Sequence, residues 1–482
     1  MARNDAGKEV IPSAKRLINS LRSLGYEFPT AIAELVDNSI EAEATEVFIK
    51  VEFDGENSWV MIADNGNGMS AEKLKESMRF GSASIYNDRS LGKFGLGLKT
   101  ASFSQCKQWL VATRSESSDN EIVSFKWDLD HVNETDRWEI LPIKKRGLDP
   151  VINDYLRNKT GTVVFWQGLD RVLDYDNPNT ERARKKMINL CRELEMHLAM
   201  VFHRFLMGEV PEKKLKKIFL NDNEIRPWDP FARDEKATKE LDVIRIPIEN
   251  DGTHGELVIE PYILPPIKAF STPQAHSKAG GPKKWNQQQG FYVYRNDRMI
   301  QSGGWCRIRT YDEHTKLARF AINFSSKLDG AFKIDVSKMY VSLPPQIRTQ
   351  VSELTSPLVY RAREIYDNSE KPPAVTPSLN SFTAYEKPSQ NPDRLGIPKQ
   401  NQKPEENLFS SYFPGQITAV NSIHEKTVRP VIIEEDTQPD TEKMWTLEEI
   451  FRELKKSAKF SEIPVIERVF ERFREQIQKN GK

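Results

Sequence analysis

The stretch AIAELVDNSI (31–40), read with IADNGNGM (62–69), constrains this chain more than any other feature. Written as a helix, the first piece lines up Ile32, Leu35, Val36, Ser39 and Ile40 on an apolar stripe at spacings of three and four. Glu34 and Asn38, four apart, then share a different face. A core-facing helix gains nothing from stacking a carboxylate on a carboxamide. A metal–phosphate site does, because the amide oxygen can ligate Mg²⁺ and the carboxylate can activate a water. Taken alone, the pair is equally well read as a solvated polar face, so the segments that follow must decide.

Strands are expected over VFIKVEF (47–53) and SWVMIAD (58–64), joined at an Asp54–Gly55 turn. The second ends in Asp64-Asn65-Gly66-Asn67-Gly68-Met69, where two glycines let the backbone turn sharply and approach a flat or anionic ligand. Asp64, at the strand end, is placed to accept a hydrogen bond from an exocyclic amine. An EF-hand loop is excluded, because the twelfth position counted from Asp64 is Lys75 and not Glu. After a short helix (Ala71–Met78), residues 79–104 are rich in Gly and Ser, and Gly92, Gly95 and Gly97 alternate with Phe94 and Leu96. Such a loop can wrap phosphates with backbone N–H groups ahead of the helix-like LKTASFS. It is not a Walker A loop, and GKFGLG lacks the βαβ setting of a dinucleotide fingerprint.

In this order the segments resemble the GHKL ATPases, the family of gyrase B, the ninety-kilodalton heat-shock chaperones, histidine kinases and MutL. Glu34 to Asn38 matches the first motif, Asp64-x-Gly66-x-Gly68 the second, and Gly92-Lys93-Phe94-Gly95-Leu96-Gly97 the third. Gly161-Thr162, entering TVVFW, resembles the fourth. The resemblance implies an α+β (α/β two-layer sandwich) Bergerat fold, with ATP held on the helical side of a mixed sheet. It also implies roles. Glu34 would be the base that aligns the attacking water, and Asn38 the ligand of phosphate-bound Mg²⁺. Asp64 and Thr162 would read the adenine amino group, with Gly66, Gly68 and Met69 packing close to the base. Residues 79–98 would form the lid, Asp37 would buttress the site, and Lys99 would be either a phosphate contact or a solvated helix lysine.

At 482 residues the chain exceeds one ordinary core. We expect an ATPase domain over 1–210 that closes on a long helix (180–207), and a second domain over 211–368. A linker rich in Pro, Ser, Asn and Gln follows over 369–440, then an amphipathic helical tail over 441–482. In the tail, Thr446 and Glu449 form a capping box, and Ile466, Val469, Phe470, Phe473 and Ile477 a narrow apolar stripe. That stripe suits a dimer or protein-partner contact, or packing back on the ATPase. The segments 290–305 and 318–344 resemble the transducer domain of MORC-like bacterial proteins, and the resemblance makes Lys338 the lysine that reaches the γ-phosphate. Between them and the ATPase, 266–289 carries Lys278, Lys283 and Lys284 beside Trp285. It is expected as a mobile basic element, a candidate DNA contact or simply a solvated loop.

Composition narrows the classes. With 70 basic and 70 acidic residues the net charge is zero, so only a local patch could favour nucleic acid. Cys106, Cys191 and Cys306 lack CxxC spacing, which fits a reducing compartment, and the seven histidines show no metal-site spacing. No signal core and no membrane-length apolar run occurs, so a cytoplasmic location is expected. No phospho-accepting His precedes the first motif, which disfavours a histidine kinase. The expected function is an ATP-hydrolysing switch that homodimerises on ATP and, by its MORC and MutL resemblance, clamps DNA. The alternative is a nucleotide-binding scaffold or chaperone-like protein with little hydrolysis and no DNA contact.

Overall fold

A computed structural model describes residues 10–23, 25–81, 90–92, 95–116, 121–173, 177–210, 212–250, 253–332 and 343–370. The expectations for Lys93, Phe94, Lys338, half of the lid, the linker and the C-terminal tail lie outside the described residues.

Ser13 caps the first helix by accepting from Arg16 N, so α1 (Ala14–Arg22) starts one residue later and leaves Pro12 outside it. α2 (Phe28–Glu41) carries Pro29 in its first turn, where a missing N–H costs nothing. β1 (Glu46–Glu52) and β2 (Trp59–Asp64) follow, and then α3 (Ala71–Met78), capped by Ser70. Next come α4 (Gly97–Phe103), β3 (Gln108–Arg114), β4 (Ile122–Asp128), α5 (Leu129–Thr135) and β5 (Leu141–Pro142). α6 (Pro150–Leu156), β6 (Gly161–Gln167), α7 (Glu181–Val201) and α8 (His203–Leu206) complete this run, and β7 (Lys217–Leu220) and β8 (Asn223–Glu224) come after it.

These strands form one sheet in the order β5-β4-β3-β6-β2-β1-β7-β8, antiparallel except for the parallel β1–β7 pair. Side-chain alternation splits its two faces. Val60, Ile62, Val111, Val164 and Trp166 point into the large core beneath α1, α2, α4 and α7. Met61, Ala63, Leu110, Val163 and Phe165 point the other way, where Ile152 and Leu156 of α6 cover them. The α+β fold expected from the motifs is the fold found. The sheet runs past the boundary expected at residue 210, because the apolar KIFL segment pairs onto the free edge of β1.

β9 (Lys239–Glu240), β10 (Ile244–Asn250), β11 (Thr253–Ile263), β12 (Gly290–Arg295), β13 (Arg298–Gln301) and β14 (Ala318–Phe324) build a second sheet. Its order is β10-β11-β14-β12-β13, with β9 on β11, and α11 (Pro345–Glu370) follows. Residues 266–289 are folded rather than mobile, and include α9 (Pro273–Gly280) and α10 (Lys284–Gln287). Trp285 stacks on His276 at 4.7 Å and meets Phe270 edge-on, while the Trp228 indole N–H donates to Lys278 O at 2.8 Å. Aromatic packing that a scan for charge overlooks thus orders the loop. Lys278, Lys283 and Lys284 remain on its exposed surface. Among the described residues, no helix is long and apolar enough to cross a membrane.

Candidate active site

α2 is buried along its length between α7 and the first sheet, and from Phe28 to Ile40 only Asn38 is exposed. Glu34, one turn earlier, is 4% exposed, so the pair is not a solvated polar face. The Glu34 carboxylate points toward the glycine loop: a Cβ on Gly97 would lie 2.9 Å from Glu34 Oε2. Around that loop, Leu91 N donates to Glu41 Oε1 at 3.0 Å, and Thr100 N closes the first turn of α4 on Leu96 O. Gly92 and Gly95 are half-buried beside them.

The second cluster lies at the end of β2. The antiparallel register sets Asp64 opposite Thr162, the position expected of the fourth motif. Asp64 Oδ1 accepts from Gly66 N at 2.9 Å, and Oδ2 accepts from the Ser39 hydroxyl at 3.2 Å. Ser39 is therefore a partner of Asp64 rather than a member of an apolar stripe. Thr162 Oγ1 lies 3.1 Å from Thr113 Oγ1, which also accepts from Met69 N at 3.0 Å. Gly68 is buried under the Arg114 carbonyl. The residues from the first, second and fourth motifs thus meet at the C-terminal half of α2. Burial pushes the Asp64 carboxyl up to about 6, against the hydrogen bonds from Gly66, Ser39 and Thr162 that lower it.

Lys99 is neither solvated nor open to a ligand. It is 2% exposed, and its Nζ donates to Ser77 O at 2.9 Å, tying α4 to α3. Burial draws its ammonium down to about 8. Asp37, expected to buttress the site, pairs with a residue that sequence reasoning missed. Arg298 of β13, itself buried, sets Nε 3.1 Å from Asp37 Oδ2 and Nη2 3.7 Å from Glu34 Oε1. Burial works against its charge, and the Asp37 and Glu34 carboxylates more than offset that and hold it above its ordinary value. The one available signal was the Asn296-Asp297 pair between two strand-like runs, a hairpin cue flanked by arginines.

Among the described residues, no group of three His, Cys, Asp or Glu side chains converges to hold a metal. A divalent ion at Asn38 would therefore rest on that one amide and on the oxygens of its substrate, a mode that suits Mg²⁺.

Comparison with known proteins finds its match in the stretch that holds these residues. Residues 26–162 match the sequence profile of the family described as histidine kinase-, DNA gyrase B-, and HSP90-like ATPase. The chain is 32% identical over 97 residues to Protein MICRORCHIDIA 7 of Arabidopsis thaliana, covering 19% of this chain and 14% of that protein. It is 30% identical over 87 residues to ATPase morc-1 of Caenorhabditis elegans, covering 18% of this chain and 10% of the relative. With Chaperone protein HtpG of Shouchella clausii it shares 29% identity over 137 residues, 26% of this chain and 21% of that protein. The chain thus spans between 10% and 21% of the length of these curated relatives. In residues 26–162 the chain carries a domain of the histidine kinase-, DNA gyrase B- and HSP90-like (GHKL) ATPase family, with similarity to the MORC proteins.

Proposed function

We propose that this protein binds ATP with Mg²⁺ at the α2–β2 cleft, hydrolyses it, and uses the cycle as a conformational switch. The observation that carries the reading is Asn38, the one exposed residue between Phe28 and Ile40 of α2, with buried Glu34 one turn before it and Ser39, the partner of Asp64, next to it. Asp64 accepts the adenine amino group, Thr162 stands opposite it, and Gly66, Gly68 and Met69 bring the backbone close to the base. Asn38 holds the metal–phosphate end, and Gly92, Gly95, Leu96 and Gly97 frame the phosphates. Mg²⁺, when bound, neutralises phosphate charge. Glu34, shielded from bulk water, takes the proton of the attacking water.

Two consequences can be measured. The first concerns pH. An ionised Asp64 accepts from the adenine amine more strongly than a protonated one, whose carbonyl oxygen is a weaker acceptor, so affinity falls as pH drops through the folded value. Nucleotide affinity is expected to weaken as pH falls below about 6 and to level off once Asp64 is protonated. Asp64→Asn should bind more weakly, with a flat profile. Parallel slopes for the two proteins in a titration from pH 7 to 5 would remove Asp64 from the adenine site.

The second concerns assembly. Sedimentation velocity without nucleotide, with ADP and with ATP, alongside phosphate release, is expected to give a dimer in ATP only. An unchanged mass in all three conditions would leave a nucleotide-binding scaffold as the better reading. We further propose that the ATP-bound dimer closes on DNA, with the exposed Lys278, Lys283 and Lys284 on and beside α9 and α10 as its contact. With zero net charge, only such a local patch can supply that attraction.

A further inference from the structure

The β12–β13 hairpin carries two arginines that the roles above leave unused. Its Asn296-Asp297 turn has φ of 47° and 66°, the doubly positive pattern of a type I′ turn, which fixes register. Arg295 and Arg298 are direct cross-strand partners. Like charges set opposite one another repel, so each needs its own counter-charge. Arg295 grips Asp329 through both carboxylate oxygens, at 2.7 and 2.8 Å, and donates to the carbonyls of Ser90 and Leu91 at 2.9 and 3.1 Å. Asn296 adds a bond to Ser90 O at 3.2 Å. Arg298 instead turns to α2, with its Nε on Asp37 and its Nη2 toward Glu34. One tip of the second sheet therefore touches both the residues that lead into the glycine loop and the helix that carries the base.

We propose that Arg298 is a positioning residue for Glu34: held by Asp37, it fixes the base's carboxylate from the second sheet, so that hydrolysis, but not nucleotide binding, depends on this hairpin being seated. The inference rests on the reading of Glu34 as the base. The geometry separates the two functions. Arg298 lies on the Glu34 and Asp37 side of α2, whereas Asp64, Ser39 and Thr162 gather at the end of β2 and have no contact with the hairpin among those described. The guanidinium spans two carboxylates one helical turn apart, which a single ammonium cannot do. Of the groups that act on the charge of Arg298, Asp37 comes first, then Glu34, with Tyr26 last. Nearby His197 stays neutral because burial pushes it down to about 3.

The test compares native protein, Glu34→Ala, Arg298→Met and Arg298→Lys for ATP affinity by calorimetry and for single-turnover phosphate release. Arg298→Met is expected to lose about tenfold or more in the hydrolysis rate while its nucleotide Kd stays within about twofold of native. Arg298→Lys, which can satisfy Asp37 but not reach both acids, should fall between them. If Arg298→Met does not fold, Arg298→Lys decides, with an expected loss of about fivefold in rate at unchanged Kd. A native rate in a folded Arg298 variant, with Glu34→Ala inactive, overturns the inference and leaves the base assignment standing. Equal losses in Kd and rate also overturn it, since they mark a purely structural arginine. If Glu34→Ala hydrolyses ATP as the native protein does, the base assignment itself fails and the inference falls with it.

Discussion

Glu34→Ala is expected to bind ATP with near-native affinity and to release phosphate about a hundred to ten thousand times more slowly. The physical reason lies in where the carboxylate sits. Glu34 is 4% exposed and its Oε2 faces the backbone of Gly97, so it can take a proton from a water held between α2 and the glycine loop. Asp64, Ser39 and Thr162, the groups proposed to recognise the base, hold one another at the end of β2, so truncation of Glu34 leaves that recognition in place. Arg298 keeps Asp37 as a partner, which limits the cost of an uncompensated buried charge. Phosphate release and nucleotide affinity measured on the same preparation decide the matter. Native turnover in the variant would move catalysis elsewhere, and a lost affinity would make Glu34 a ligand contact instead.

Gly161→Ala is expected to have the largest effect on stability of any single methyl group added to the site. Gly161 has φ of +145°, a conformation L residues rarely adopt, and its Cβ would lie 2.0 Å from Asp64 O. The obstacle is backbone on the adjacent strand, which cannot rotate away, and moving it breaks the register that sets Asp64 opposite Thr162. We expect a loss of roughly 3 kcal/mol or more, a fall in melting temperature of about 10 °C, and loss of nucleotide binding. Gly147→Ala is the control: its Cβ would meet only Ile143 Cγ2 at 3.6 Å, an ordinary contact. Indistinguishable melting curves for the two variants would show that β2 and β6 can part without penalty.

What could be read from the sequence is what local chemistry fixes. The Glu34/Asn38 helix, the Asp64 strand end and the α3 helix each carry their own periodicity, cap or turn residues, and each lies where that pattern predicts. Asp64 and Thr162 are 98 positions apart and were linked only by family resemblance; the β2–β6 register supplies the physical link. Arg298 was invisible for the converse reason. Asp37, its nearer partner on α2, lies 261 positions away, and an arginine in RNDRM looks like any hairpin charge until tertiary structure buries it. Lys99 misled similarly, because a helical lysine reads as solvated unless the neighbouring helix is known to cover it. The folding of 266–289 rests on Trp228 and Arg319, both remote in the chain: the Arg319 guanidinium donates to Ala279 O at 2.8 Å.

The parallel pairing of β1 with β7 has a temporal side. Residues 46–49 leave the ribosome long before residues 217–220, the strand that completes their edge. Until then β1 presents a row of unpaired amides and carbonyls next to the helix that bears Glu34 and Asn38, an invitation to pair with another nascent chain. The contact is of high sequence separation and forms late and slowly. The first sheet of this protein is therefore a unit finished from downstream: its edge at β1 can be complete only once the chain has already passed into the segment that leads to the second sheet.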